Sequence, residues 1–154
     1  MSNTIIQALQ KNDIKELVAL EERAFEVGPY DFEMLEHAFL LTNGMAYKVM
    51  NEQRIAAYIM GVKISADTVD IESIAVDPDF RGLGYAKRLI SYLENVCKNE
   101  NIRNLILEVR ANNHEAKSLY TKMGFRELEY IKNYYNEVHR NTQDAIRMIK
   151  LIDQ

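Results

Sequence analysis

Apolar residues recur along this chain with two different spacings, which separate predicted helices from predicted strands. Spacings of three and four residues predict amphipathic helices at residues 13–25, 31–41, 83–97 and 113–123. Runs rich in β-branched residues, bounded by turn residues, predict strands at residues 3–8, 44–50, 54–64, 71–76, 102–109, 125–131 and 143–152. The chain therefore alternates between helical and extended segments, which is typical of a mixed α/β fold.

The lengths of the connections predict how the strands pair. The three strands between residues 44 and 76 are separated by short turns, so they form an antiparallel meander. A whole helix, 83–97, separates strand 71–76 from strand 102–109, and such a βαβ connection can join parallel neighbours. We therefore expect one domain over residues 1–154, an α/β (α+β) fold. Its mostly antiparallel sheet contains one parallel pair and is flanked by about four helices.

Polar residues and glycine mark the helix ends. Asn12 or Asp13, Asp31, and Asn112 or Asn113 stand where a side chain can accept a hydrogen bond from a first-turn amide. Gly124 follows the fourth predicted helix, where glycine commonly ends one.

Composition and charge narrow the class of partner. The chain has 154 residues, of which 47% are hydrophobic, enough to form a folded core. Its net charge of −4 argues against a general nucleic-acid or anionic-membrane binder and fits a partner that carries a cationic amine. The sequence has no apolar run long enough to span a bilayer and no signal-peptide pattern. We therefore expect a cytoplasmic protein without a membrane partner.

The single cysteine, Cys97, excludes an internal disulfide and fits a reducing compartment. It lies on the apolar stripe of helix 83–97, where a small buried hydrophobic residue is a more common role than a catalytic thiol. His37, His114 and His139 have no metal-ligand spacing with one another or with Cys97. We therefore expect no metal site.

A glycine-rich turn follows strand 71–76. Asp77-Pro78 ends the strand, and Gly82 and Gly84 allow backbone amides to approach a ligand closely. The first amides of the following helix have no acceptor within it, and the helix dipole adds partial positive charge there. The turn therefore predicts a phosphate site. It lacks the third glycine of the dinucleotide fingerprint and the Gly-Lys-Ser/Thr ending of the nucleoside triphosphate loop.

Several strings in a fixed order extend this pattern. Arg81-x-x-Gly84-x-Ala86 follows the strand ending IAVDP, and LEVRANN at residues 107–113 precedes LYTKMGF at residues 119–125. The strings NYY at residues 133–135 and DAI at residues 144–146 complete the set. This arrangement resembles the GCN5-related N-acetyltransferase (GNAT) superfamily, and it is most similar to the ribosomal-protein-alanine N-acetyltransferase branch. The resemblance covers about the second half of the chain.

The resemblance implies acetyl-CoA as the co-substrate and assigns residues to it. Backbone groups of Ile74, Ala75 and Val76 would pair with the pantetheine arm as an added strand does. The pyrophosphate would be held by Arg81, Gly82, Leu83, Gly84, Tyr85, Ala86 and Lys87. Asn113 resembles the asparagine that contacts the cofactor arm, although a helix cap explains it equally well.

Glu108 is the candidate general base, because an amine must lose a proton before it attacks a thioester. It interrupts an apolar strand, where a carboxylate is costly unless it is paired or used. The alternative is a structural ion pair with Arg110, two residues further along the same face. The branch that the chain resembles has its base at this position. Glu72 is a second choice, because some superfamily members carry a base on the preceding strand.

Tyrosines supply the remaining candidate side chains. Tyr120 could protonate the sulfur as coenzyme A leaves, a role that the resemblance favours, while the alternative is an ordinary core tyrosine. Tyr130, Tyr134 and Tyr135 could line a groove for the amine substrate or pack at the sheet edge. The resemblance supports only Tyr134 and Tyr135 as substrate-binding residues.

The acceptor is the least constrained part of the prediction. The resemblance implies transfer of acetyl to the α-amine of a protein or peptide, such as a ribosomal protein N-terminus, in a ternary complex with no direct nucleic-acid contact. Residues 25–30 and 136–142 depart from the family pattern, and these segments select the acceptor. An acetyltransferase for lysine side chains or small amines, or a non-catalytic acyl-CoA-binding module, remain the alternatives. Both a monomer and a dimer fit the sequence.

Overall fold

The elements of the computed structural model, which describes residues 4–152, follow the predicted order closely. The strands are β1 (Thr4–Ala8), β2 (Ala46–Asn51), β3 (Arg54–Ser65), β4 (Thr68–Val76), β5 (Asn104–Arg110), β6 (Arg126–Ile131) and β7 (Ala145–Leu151). The helices are α1 (Ile14–Ala24), α2 (Phe32–Thr42), α3 (Tyr85–Asn99) and α4 (His114–Lys122), with short 3-10 turns at Lys11–Asp13 and Pro78–Phe80. The largest difference from prediction is at β4, which begins three residues early, at Thr68. Asn3, predicted in the first strand, lies outside the described residues.

The helix ends confirm most of the predicted caps. The Asp31 carboxylate accepts a hydrogen bond from the Met34 amide at 2.9 Å at the start of α2. Gly124 follows α4 with a φ of +100°, a conformation that favours glycine. Asp13 precedes α1 but makes no side-chain cap; its carboxylate instead accepts from Lys48 Nζ at 2.7 Å. That ion pair joins the start of α1 to β2.

The seven strands form one sheet in the order β1-β2-β3-β4-β5-β7-β6. Every neighbouring pair is antiparallel except β4 and β5, which run parallel. This arrangement confirms the predicted meander and the predicted parallel pair. The helix α3 provides the crossover between the parallel strands.

A separate apolar core covers each face of the sheet. Side chains of α3, including Leu89 and Leu93, are fully buried against one face. The other face is covered by α1 and α2, which contribute Leu17 and Leu35. Cys97 belongs to the α3 core with no exposed surface, and burial raises the pKa of its thiol to about 12. This confirms its predicted structural role. In the described part of the chain, none of the helices has the length and apolar character needed to cross a membrane.

A β-bulge interrupts the pairing of β3 with β4. Met60 pairs with Ser73 and Gly61 pairs with Ile71, so Glu72 is the extra residue on β4. A bulge bends its strand and increases the local twist. The bend changes which β4 side chains face each core.

The parallel pairing of β4 with β5 ends just before this bulge. Asp70 opposite Ile106 is the last pair, although β4 continues to Val76 and β5 to Arg110. The two strands therefore separate, and a V-shaped opening forms near the middle of the sheet. Asp70 lies at the vertex of this opening.

Candidate active site

The edge of β4 that faces the opening is available to a ligand. On its other edge, residues 74–76 pair with β3, at Ile59, Tyr58 and Ala57. Toward β5 these residues have no paired strand among residues 4–152. Ladder donors and acceptors without a strand partner can bind an extended molecule as a new strand. The geometry fits the predicted contact of this segment with a pantetheine arm.

Asp77 holds the turn that follows β4. Its side chain is fully buried and accepts from Arg23 Nη2 at 2.5 Å and from Arg54 Nη2 at 3.1 Å. Its other oxygen accepts from the Asp79 amide at 3.0 Å. Burial opposes ionisation, but the hydrogen bonds from Asp79 and Arg23 outweigh it and lower the pKa of Asp77. Two cations from α1 and β3 therefore fix where the turn begins.

The glycine-rich turn leaves open space at the start of α3. Gly82 and Gly84 have φ values of +80° and +82°, which glycine adopts without strain. An added Cβ at either position would meet no heavy atom within 4 Å. Gly84 is the N-cap residue and makes no side-chain cap, so the first-turn amides of α3 remain available to an anion. This open, side-chain-free surface fits a pyrophosphate group.

The predicted cofactor residues line two adjoining parts of one cleft. The first part is lined by Ala24, Phe25, Ile74, Ala75, Val76, Arg81, Ala86 and Tyr120. The second is lined by Val76, Phe80, Arg81, Gly82, Gly84, Tyr85, Ala86, Lys87 and Leu119. The cleft thus runs from the strand opening to the start of α3.

Two predicted cofactor residues lie outside these linings. Leu83 is 56% exposed beside the turn. Asn113 caps α4, with its side-chain oxygen accepting from the Ala116 amide at 3.2 Å. Within the cleft, Arg81 uses Nη2 to donate to the carbonyl of Ala24 at 3.1 Å, which ties the turn to the end of α1.

Tyr120 reaches the cleft from α4, on the face of the sheet that α3 covers. Its ring packs edge-on against Phe125, with the centroids 5.9 Å apart. Burial, with a smaller contribution from Tyr135, raises the pKa of Tyr120 to about 12. The side chain is therefore a phenol at neutral pH and has a proton to donate.

Glu108 lies on the opposite face of the sheet. Its β5 neighbours Leu107 and Val109 belong to the α3 core, so the alternating side chain of Glu108 points away from that core. It is 8% exposed and accepts from Arg147 Nε on β7 at 2.8 Å. The predicted alternative partner, Arg110, makes no ion pair with it in the described chain. Arg147 is therefore the counter-ion of Glu108.

Arg110 instead organises the segment between β6 and β7. Its Nη1 donates to the carbonyls of Glu137 and Thr142 at 2.9 and 3.1 Å. Its guanidinium lies 4.1 Å from the ring centroid of Tyr135. These contacts keep the 132–144 segment close to the end of β5.

Carboxylates and phenols surround the opening on the face that carries Glu108. The Tyr30 hydroxyl donates to Glu72 Oε1 at 3.4 Å. Tyr134 lies near Glu108, Asp70 and Glu72; burial and then these negative charges raise its pKa to about 12. Burial raises the pKa of Glu72. The predicted groove residue Tyr134 and both candidate bases thus meet on one wall.

Tyr130 has a different environment. It is 57% exposed on the edge strand β6, and its hydroxyl donates to Asp144 at 2.5 Å. Tyr130 therefore packs at the sheet edge, which was the predicted alternative to lining a substrate groove.

Sequence reasoning did not identify Asp70, Arg147 or Tyr30 as site residues. Arg147 is 39 residues from Glu108, and only the β5–β7 register brings them opposite each other. Two acids, at positions 70 and 72, stand among the apolar residues 69–76, and this was a visible signal for Asp70. For Tyr30 no comparable signal exists, because its position depends on how α1 and α2 pack.

The chain is similar to known proteins in both sequence and structure. A sequence model of the Acetyltransferase (GNAT) family matches residues 12–125. The ribosomal protein bS18-alanine N-acetyltransferase of Salmonella typhimurium is 32% identical over 146 residues, covering 93% of this chain and 94% of that protein. The crystal structure of the ribosomal-protein-S18-alanine N-acetyltransferase from Escherichia coli has a TM-score of 0.85 and 27% identity, covering 99% of this chain and 96% of that one. Ard1 from Thermoplasma volcanium, at 22% identity and a TM-score of 0.90 over 98% of this chain and 99% of that one, shares the fold.

Proposed function

The chain belongs to the acetyltransferase (GNAT) family, and on that premise we propose that it transfers acetyl from acetyl-CoA to the N-terminal α-amine of a protein. The observation that carries the proposal is the opening between β4 and β5. It connects a cleft suited to the donor on one face of the sheet with an acidic wall suited to an amine on the other. Tyr120 and Glu108 stand on these two sides.

The cleft residues have separate tasks in holding the donor. Backbone groups of residues 74–76 align an extended arm along β4, and the turn containing Gly82 and Gly84 receives the pyrophosphate. Acetyl-CoA supplies the acetyl group as a thioester. The arm, lying along β4, presents that thioester at the opening.

Glu108 and Tyr120 each transfer one proton in the proposed reaction. Glu108 accepts a proton from the acceptor ammonium, directly or through water, so that the amine nitrogen can attack the thioester carbon. The new C–N bond forms as the carbonyl oxygen takes up charge, and the C–S bond then breaks while the nitrogen releases its second proton to solvent. Tyr120 gives its phenol proton to the departing sulfur and regains one from solvent. The reaction therefore proceeds in a ternary complex without an acetylated enzyme.

The proposed acceptor is an α-amine on a protein, as for ribosomal protein N-termini. Near-full-length similarity to the Salmonella alanine N-acetyltransferase supports this choice. The carboxylates of Glu72 and Glu108 on the acceptor wall would attract an ammonium group electrostatically.

A peptide panel tests the acceptor. Thiol release from acetyl-CoA is measured with peptides that differ in their first residue, with N-terminally blocked peptides that carry a free lysine, and with small amines. Mass spectrometry locates the added acetyl group. Turnover confined to free α-amines supports the proposal, whereas turnover on blocked lysine peptides or small amines replaces it with the alternative acceptor class. Binding of acetyl-CoA without turnover on any acceptor would indicate a non-catalytic binding module.

A further inference from the structure

Three carboxylates meet at the vertex of the strand opening, and one of them has no role in the proposed reaction. Glu108 is paired with Arg147, and Glu72 accepts from Tyr30. Asp70 is different: its Oδ1 is buried and has no hydrogen-bond partner. A charged carboxylate oxygen in that position loses its hydration without compensation. The site therefore favours the uncharged, protonated form of Asp70.

Strand register brings Asp70 to Glu108. Asp70 pairs with Ile106, and Glu108 follows two residues later on β5. Val69 and Ile71 face the α3 core, so Asp70 points to the opposite face, which is also the face of Glu108. The two side chains therefore occupy diagonal positions on one face of the parallel pair.

The charges around Asp70 come from three elements besides its own strand. Glu72 is on β4, Glu108 on β5, Arg147 on β7 and Tyr134 in the segment between β6 and β7. Burial, followed by the negative charge of Glu108, raises the pKa of Asp70 well above that of an ordinary aspartate. Arg147 acts in the opposite direction and does not offset these effects.

We propose that protonated Asp70 is a positioning residue for Glu108, donating a hydrogen bond to the Glu108 carboxylate while Arg147 Nε binds Glu108 Oε2. The inference rests on the proposed role of Glu108 as the base. Hydrogen bonds from two strands fix the plane of the Glu108 carboxylate at the opening. When Asp70 loses its proton, the hydrogen bond is replaced by repulsion between two carboxylates, and the orientation of Glu108 is lost.

The kinetic test compares variants with the wild type across pH. Asp70→Asn keeps a donor at every pH, so its kcat should match the wild type near neutrality. The ratio of its kcat to that of the wild type should rise several-fold at alkaline pH, where wild-type Asp70 ionises. Because both enzymes are assayed with the same peptide, ionisation of the substrate cancels in the ratio. Asp67→Asn makes the same change at an exposed carboxylate in the turn between β3 and β4, and it is the matched control, with a ratio independent of pH.

A second variant shows whether Asp70 positions Glu108 or takes part in the reaction itself. Asp70→Ala removes the donor at all pH values and should lower kcat about 10- to 100-fold while leaving the KM for acetyl-CoA unchanged. A pH-independent ratio for Asp70→Asn would overturn the proposal. Loss of activity in Asp70→Asn equal to that in Glu108→Gln would also overturn it, because Asp70 would then take part in the chemistry itself.

A spectroscopic titration does not depend on activity. In protein labelled with 13C at aspartate carboxyls, the NMR signal that Asp70→Asn removes belongs to Asp70. This signal should titrate at higher pH than the other aspartates, and Glu108→Gln should lower its midpoint. An ordinary midpoint overturns the positioning proposal. If the midpoint is elevated but the protein acetylates no amine, the proposed function is contradicted. The hydrogen bond from Asp70 to Glu108 would still be supported.

Discussion

Glu108, the proposed general base, is held in place by one arginine. Its carboxylate accepts from Arg147 Nε on the neighbouring strand β7 at 2.8 Å. Arg147 also binds Glu129 on β6, which is 55% exposed, at 2.9 Å. The three side chains therefore connect β5, β7 and β6 on one face of the sheet.

Conservative substitutions at the two proposed proton-transfer residues test their roles. Glu108→Gln should lower kcat by about 100-fold or more, and Tyr120→Phe by about 10- to 100-fold, because each removes a proton acceptor or donor. Binding of acetyl-CoA, measured by calorimetry, should stay within a factor of two or so, since neither change touches the turn before α3.

Tyr130→Phe is the matched control for Tyr120→Phe. It also removes one phenol, but from an exposed side chain bonded to Asp144 on the edge strand. Its turnover should equal that of the wild type. Full activity in both Glu108→Gln and Tyr120→Phe would contradict the proposed mechanism.

The candidate site was predictable from sequence only where its residues stand in continuous strings. The turn around Gly82, the acid at Glu108 and the tyrosine at Tyr120 were identified in this way, and the structure places the turn and Tyr120 along one cleft. Arg147 was missed, because its contact with Glu108 depends on strands that are distant in sequence. The catalytic roles themselves stay predictions.

At the scale of elements, the turn before α3 can be tested by one glycine substitution. Gly84→Ala places a side chain at a φ of +82°, which should destabilise the protein by about 1 kcal/mol. The added Cβ points into open space, where a bound pyrophosphate would lie. Affinity for coenzyme A should therefore fall about tenfold or more by calorimetry.

Gly44→Ala separates backbone strain from loss of the ligand site. Gly44 has a φ of +97° and also has no neighbour within 4 Å of an added Cβ, but it lies before β2, away from the cleft. This variant should lose a similar free energy of unfolding and keep full affinity for coenzyme A. Equal losses of affinity in both variants would show that strain, rather than the anion site, explains the effect at Gly84.

The segment between β6 and β7 depends on one arginine. Arg110→Ala removes two hydrogen bonds to backbone carbonyls and the contact with the Tyr135 ring. The segment should then become less ordered, and the KM for the peptide should rise several-fold while the KM for acetyl-CoA stays the same. Arg126→Ala, an exposed arginine on β6, should change neither constant. A rise confined to the KM for acetyl-CoA would argue against a role of this segment in acceptor binding.

Helices and strands were predicted well because local spacing and turn residues determine them. Each predicted element is present, and the bounds differ by a few residues. The insertion of β7 between β5 and β6 was not predicted, and neither was the bulge at Glu72. Both depend on pairing between separate segments. The opening between β4 and β5 begins beside the bulge, so the structure was needed to see it.

Considered as a whole, the molecule places the proposed donor cleft and the proposed acceptor wall on opposite faces of its sheet. Helices α3 and α4 bring the anion site and Tyr120 to one face, while α1 and α2 cover part of the other face and leave room beside Glu72 and Glu108. The opening between the parallel strands is the connection between the two faces. Its shape depends on contacts that hold α1, β3 and the turn after β4 together.

Asp77 joins these three parts, which predicts a pH-dependent effect on global stability. Asp77→Asn removes the charge that binds Arg23 and Arg54, and the free energy of unfolding at pH 7 should fall by about 1–3 kcal/mol. The pKa of Asp77 is lowered in the folded protein, so its contribution is complete above the unfolded value and is lost as pH falls through the folded value. Urea unfolding from pH 7 downward should therefore show the stabilities of Asp77→Asn and the wild type converging below about pH 4.

Asp79→Asn is the control. It alters a carboxylate that is 70% exposed and 3.4 Å from Arg54, and it should change stability by less than about 1 kcal/mol at any pH. A difference between Asp77→Asn and the wild type that stayed constant from pH 7 to acid would mean that packing, and not charge, connects these elements.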